Sequence, residues 1–62
     1  MRVGDKVIGY DIRYYPTPKV GVITQKLTES SYIVKLSIEG IELCYADHEL
    51  KYFNVRSYYN LL

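Results

Sequence analysis

The stretch from Ser31 to Ala46, SYIVKLSIEGIELCYA, alternates apolar and polar residues on both sides of a Glu-Gly pair. In an extended chain Tyr32, Val34, Leu36 and Ile38 fall on one face, and Ile41, Leu43 and Tyr45 return on the matching face. Gly40 tolerates the positive φ that a tight turn demands, so the segment reads as a β-hairpin. An isolated hairpin is barely stable in water and needs further strands to cover its apolar face. In a chain of 62 residues those strands must come from close by in sequence.

They are legible on both sides. Val3 to Tyr10 is a first strand, with Gly4-Asp5 as a turn and Lys6-Val7-Ile8 as its body. Lys19 to Leu27 is a second, in which Gly21 suggests a bulge or sharp bend. Thr28-Glu29-Ser30 is a polar turn, and the hairpin supplies strands over Ser31 to Ile38 and Ile41 to Ala46. Asp47-His48-Glu49 reads as a short helical turn, and Leu50 to Phe53 as a brief closing strand. Between the first two strands, DIRYYPTPK holds Pro16 and Pro18, which lack backbone donors and bias their predecessors towards extended backbone. Asp11 to Pro18 is therefore expected to be a stiff, extended loop. After Asn54, a good N-cap, Val55, Tyr58, Tyr59 and Leu62 follow helical spacing, which leaves room for a C-terminal helical turn that needs packing to exist. The expectation is a single all-β domain: a five-stranded barrel over about residues 3–53, with a C-terminal extension.

A chain this short buries only about 60% of the surface its unfolded form exposes. Cys44 is the single cysteine, so no internal disulfide reinforces the core, and no Cys/His cluster is spaced to hold a structural metal. The eight tyrosines are the main packing resource, each aromatic ring offering roughly 150–250 Å². No apolar run suits a signal peptide or a membrane span, and with the absence of disulfides this points to a soluble, cytoplasmic protein. Starting at Met1 and running straight into strand-like sequence, the chain reads as a complete small protein.

GDKV, a variable loop, VGVI, SYIVKL, a hairpin and then ADHEL together resemble the frame of SH3-like barrels. Tudor and KOW-type modules share that frame. A family of small photosystem I accessory proteins and small phage or prophage SH3-like proteins are similar in layout. The resemblance covers about Val3 to Phe53. It implies a small barrel and a binding role rather than a particular ligand. A Tudor-like aromatic cage would draw on Tyr10, Tyr15, Tyr32, Tyr45 and Asp47.

Catalytic constellations are missing from the sequence. His48 has no second His or Cys to complete a metal site, and Cys44 has no oriented base, so both read as structural or exposed. The four glycines are scattered singly, which excludes a phosphate loop. The reading is non-enzymatic, with no cofactor and no metal. Three aromatic doublets, Tyr14-Tyr15, Tyr52-Phe53 and Tyr58-Tyr59, exceed what a thin core absorbs, so some aromatic surface is expected outside. Adjacent residues in extended backbone point opposite ways, so one of Tyr14 and Tyr15 should face outward. The expected function is capture of a protein partner through the loop residues Arg13, Tyr14, Tyr15, Pro16 and Pro18. Tyr10, Tyr45 and Tyr52 would add aromatic area nearby, with Asp47 helping to fix orientation. Eight Lys+Arg against seven Asp+Glu is no nucleic-acid signature, although five of the cations precede Glu29 and most acids follow it. The alternative is nevertheless a nucleic-acid-binding module using Arg2, Lys6, Arg13, Lys19, Lys26 and Lys35 on phosphates. A homodimer built on exposed tyrosines is a third possibility.

Overall fold

The computed structural model describes residues 1–11 and 13–54. Five antiparallel strands form one sheet: β1 (Lys6–Gly9), β2 (Lys19–Thr28), β3 (Ser31–Leu36), β4 (Glu42–Ala46) and β5 (Leu50–Tyr52). Their order is β4-β3-β2-β1-β5, so β4 and β5 are the two edges and the sheet is open. A 3₁₀ turn, Asp47–Glu49, carries the chain from one edge to the other. The helical turn expected after Asn54 lies outside the described residues. No helix among the described residues is long and apolar enough to cross a membrane.

One face of the sheet holds the core: Val7, Ile23, Tyr32, Val34, Leu36, Tyr45 and Leu50, with Met1, Tyr15 and Leu43 packed against its rim. The alternation of the hairpin produces this face, since Tyr32, Val34 and Leu36 are all buried. Ile38 departs from it. β3 ends at Leu36, Gly40 turns the chain with φ of +74°, and Ile38 is left 88% exposed at the tip. Ile41 is likewise exposed, because it precedes β4 rather than opening it.

The sheet curls strongly enough for its edge to meet its middle. A methyl group on Gly9 of β1 would sit 2.6 Å from the ring of Tyr45 on β4, so only glycine lets the two strands approach across the core. Gly21 serves the same purpose and is no bulge: pairing runs straight through it, and an added carbon would lie 2.6 Å from the Lys35 carbonyl oxygen. The register shifts of β2 come later, between Ile23 and Gln25 and between Lys26 and Thr28. They bend the long strand where its residues become exposed.

Candidate functional site

The loop between β1 and β2 opens on a buried carboxylate. Asp11 accepts hydrogen bonds from the Arg13 backbone N–H (2.8 Å) and from Arg13 Nε (2.7 and 2.9 Å), and pairs with Arg13 Nη2. Its main-chain oxygen accepts from Tyr14 N–H at 3.1 Å and Tyr15 N–H at 3.4 Å. The loop is therefore a tight turn at its start, not extended throughout; an aspartate gathering the N–H groups that follow it outweighs the proline bias downstream. Arg13 hydrogen bonds hold the Asp11 carboxyl down at about 2, against the opposing effect of burial, and Asp11 in turn raises Arg13. Arg13 also reaches Glu49 Oε2 at 3.5 Å, tying the loop to the 3₁₀ turn.

Tyr14 and Tyr15 divide as adjacent residues must. Tyr15 is half-buried against the core rim, with Lys19 Nζ 4.9 Å from its ring centre. Tyr14 is the outward member, 39% exposed, lying edge-on to Tyr45 with ring centres 5.6 Å apart. Its hydroxyl donates to the Cys44 carbonyl at 3.1 Å.

That bond has a particular place. Leu36 N–H donates to the Ile41 carbonyl, and with a period of two the β4 groups facing away from β3 belong to Glu42, Cys44 and Ala46. The loop hydroxyl takes the Cys44 oxygen, and Glu49 Oε1 takes the Ala46 N–H at 2.8 Å. Two side chains thus occupy the edge that would otherwise offer itself to another strand.

The remaining expected contacts scatter. Arg13 is largely exposed and Pro16 is exposed, whereas Pro18 and Tyr10 are half-buried. Tyr10 donates its N–H to the Glu49 carbonyl and lies beneath Lys51, at 5.5 Å. Tyr45 is corrected: at 1% exposure it is the floor on which the loop rests, and burial pushes its phenol up. Asp47 is exposed beside His48, 3.9 Å away, and has no contact with the loop among the described residues. Tyr52 stands 57% exposed on the edge strand β5, with no ring contact to the loop among the described residues. The aromatic cage is not assembled, since Tyr32 and Tyr45 both belong to the core. Cys44 is exposed, as its place in the alternation predicts.

Charge segregation along the sequence is undone by folding. Lys19 pairs with Glu39 at 3.0 Å and lowers its carboxyl, Lys26 pairs with Glu29 at 3.7 Å, and Arg13 bridges Asp11 and Glu49. Three of the six cations expected on phosphates therefore already hold carboxylates. Two residues of the site escape sequence reading, Asp11 and Glu49. The available signal is local: an Asp two residues before an Arg at a strand end, and a Glu three residues after Ala46.

Compared with known protein families, characterised proteins and solved structures, the chain has no match in any of the three.

Proposed function

We propose that this chain is a non-catalytic protein-interaction module of the SH3-like kind, which binds its partner through the first loop. The fold part of this reading is supported by the strand order β4-β3-β2-β1-β5 and the 3₁₀ turn before the last strand, together with the sequence frame from Val3 to Phe53. The observation that carries the functional part is the combination of anchoring and exposure in one loop. Arg13 and Tyr14 are fixed through Asp11, Glu49, Tyr45 and the Cys44 carbonyl, yet both keep exposed surface. A contact surface held in place before binding loses little conformational entropy on association. Tyr14 offers ring area and Arg13 a charged fork, the residue types that dominate binding energy at interfaces. Pro16 extends the same rim.

The nucleic-acid alternative has less support, because its proposed phosphate contacts at Arg13, Lys19 and Lys26 are neutralised within the chain.

The test is comparative capture by the tagged full chain, with Arg13→Ala and Tyr14→Ala beside the wild type. A partner retained by the wild type should be lost by both variants while their circular dichroism stays that of a folded protein. Equal capture by all three proteins sinks the loop reading. Tyr15→Ala is the wrong probe, since Tyr15 supports the core rim and its loss lowers stability as well.

A further inference from the structure

We infer that β4 is a latched self-association edge. When the first loop lifts away, two copies of this chain pair antiparallel along the whole strand, centred on Cys44. An antiparallel ladder alternates residues whose backbone groups face the neighbouring strand with residues whose groups face away. Leu36 N–H donates to the Ile41 carbonyl and Asp47 N–H to the Ser30 carbonyl, so the odd-numbered residues here face β3. Glu42, Cys44 and Ala46 therefore turn their backbone groups to the open side of an edge strand. Among the described residues only the Cys44 carbonyl and the Ala46 N–H of this set have partners. These are the Tyr14 hydroxyl at 3.1 Å and Glu49 Oε1 at 2.8 Å.

The chain treats its other long free edge differently. β2 runs on past β1, whose pairing closes with Lys6 opposite Val22 and the Gly4 N–H on the Ile23 carbonyl. Beyond Ile23 the strand carries two register shifts and Lys26, both ordinary devices against edge pairing. Those devices are permanent. β4 has neither: it pairs with β3 regularly from Ala46 to Glu42 and contains no lysine or proline. Its protection consists of two side chains that can rotate away, and they are joined. Glu49 holds Ala46 N–H through Oε1 and reaches Arg13 of the loop through Oε2 at 3.5 Å. Withdrawal of the loop thus loosens both caps.

The strand itself selects a second copy as the occupant. A two-fold axis at Cys44 sets Cys44 opposite its counterpart, Glu42 opposite the second copy's Ala46, and Leu43 opposite its Tyr45. This register overlaps all five residues of β4. Directly paired residues share a face, so one row across the join reads Ile33, Cys44, Cys44, Ile33. That row is apolar throughout, with half-buried Ile33 and exposed Cys44 gaining cover. Glu42 already stands opposite Lys35 and acquires a neutral neighbour, whereas an axis at Glu42 would oppose two carboxylates. On the core side Leu43 takes up the position beside the Tyr45 ring that Tyr14 vacates. The inference holds whether or not the loop captures another protein.

The experiment compares the full chain with Tyr14→Phe, which keeps the ring and removes only the hydroxyl, and with Glu49→Ala. Sedimentation over a concentration range reads the dimer constant. Each freed cap should tighten it about fivefold per copy, the weight of one hydrogen bond, and so about twenty-five-fold for the pair. Amide hydrogen exchange then locates the interface. In the Tyr14→Phe dimer the Glu42 and Cys44 amides should gain protection with concentration, while those of Leu43 and Tyr45, which already face β3, should not. Directly opposed residues lie about 5.5 Å apart between Cα atoms, so a short bis-maleimide should join the two Cys44 thiols. Cys44→Ser on the Tyr14→Phe background should dimerise as well and resist cross-linking. Both variants remaining monomeric wherever the wild type does overturns the proposal. So does a dimer that leaves the Glu42 and Cys44 amides unprotected, or one that protects them without a Cys44 cross-link.

Discussion

The first loop and the β3–β4 hairpin both carry apolar side chains to the surface, but they are held in different ways. The loop is fixed by side chains: a buried aspartate, an arginine fork, a tyrosine hydroxyl on a strand edge and a lysine over a ring. The hairpin is fixed by its backbone, through Leu36 N–H to the Ile41 carbonyl and Gly40 N–H to the Leu36 carbonyl, with Glu39 to Lys19 as its side-chain tie. Ile38 at its tip touches little and is 88% exposed, whereas Tyr14 is 39% exposed and held on two sides. Exposure alone therefore does not mark a binding residue. Exposure of a side chain that the fold also immobilises is the more specific sign.

Substitutions can break this contrast. The largest effect should come from Gly9→Ala, whose methyl group would meet the Tyr45 ring at 2.6 Å and displace the floor under Tyr14. Overpacking of this kind costs about 1–3 kcal/mol, read as a fall in the denaturant midpoint, and the loop resonances should shift with it. Next comes acid. The Asp11 carboxyl has an ordinary value of 3.8 and lies at about 2 in the folded chain. A folded value below the unfolded one gives stabilisation that is present above 3.8 and is lost as pH falls through about 2. Asp11→Asn should therefore be less stable than wild type at neutral pH, with the gap closing on acidification across that window. A gap constant down to the lower end would show that Asp11 acts without its charge. The smallest effect should be Ile38→Ser, within about 0.5 kcal/mol because the side chain is already in water. A larger loss would mean that the hairpin tip is held as the loop is.

The strands are easy to read from sequence because the physics that makes them is local. Alternation places Tyr32, Val34, Leu36 and Tyr45 inward, and Gly40 marks the turn. Ile38 breaks the pattern because alternation gives a face but not the point at which pairing stops. Gly21 reads as a bulge because a glycine needed for close approach looks the same in sequence as one needed for a bend. The loop is only half legible. The division between Tyr14 and Tyr15 follows from backbone geometry, but which one faces out depends on Tyr45, about thirty residues away. Asp11 and Glu49 look like ordinary surface acids until folding brings Arg13 to both.

The cap on the β4 edge has a kinetic consequence. Tyr14 lies 30 residues from Cys44, and Arg13 lies 36 from Glu49. The β3–β4 hairpin can form within about 1–10 μs because its partners are sequence neighbours, whereas contacts that close a long loop come later. In the interval the nascent hairpin shows a bare edge to any other chain in the same state. Slowing closure of the loop, without altering the final fold, should therefore raise misassembly during refolding at high protein concentration. The tyrosine then acts as a timer on aggregation as well as a part of the finished surface.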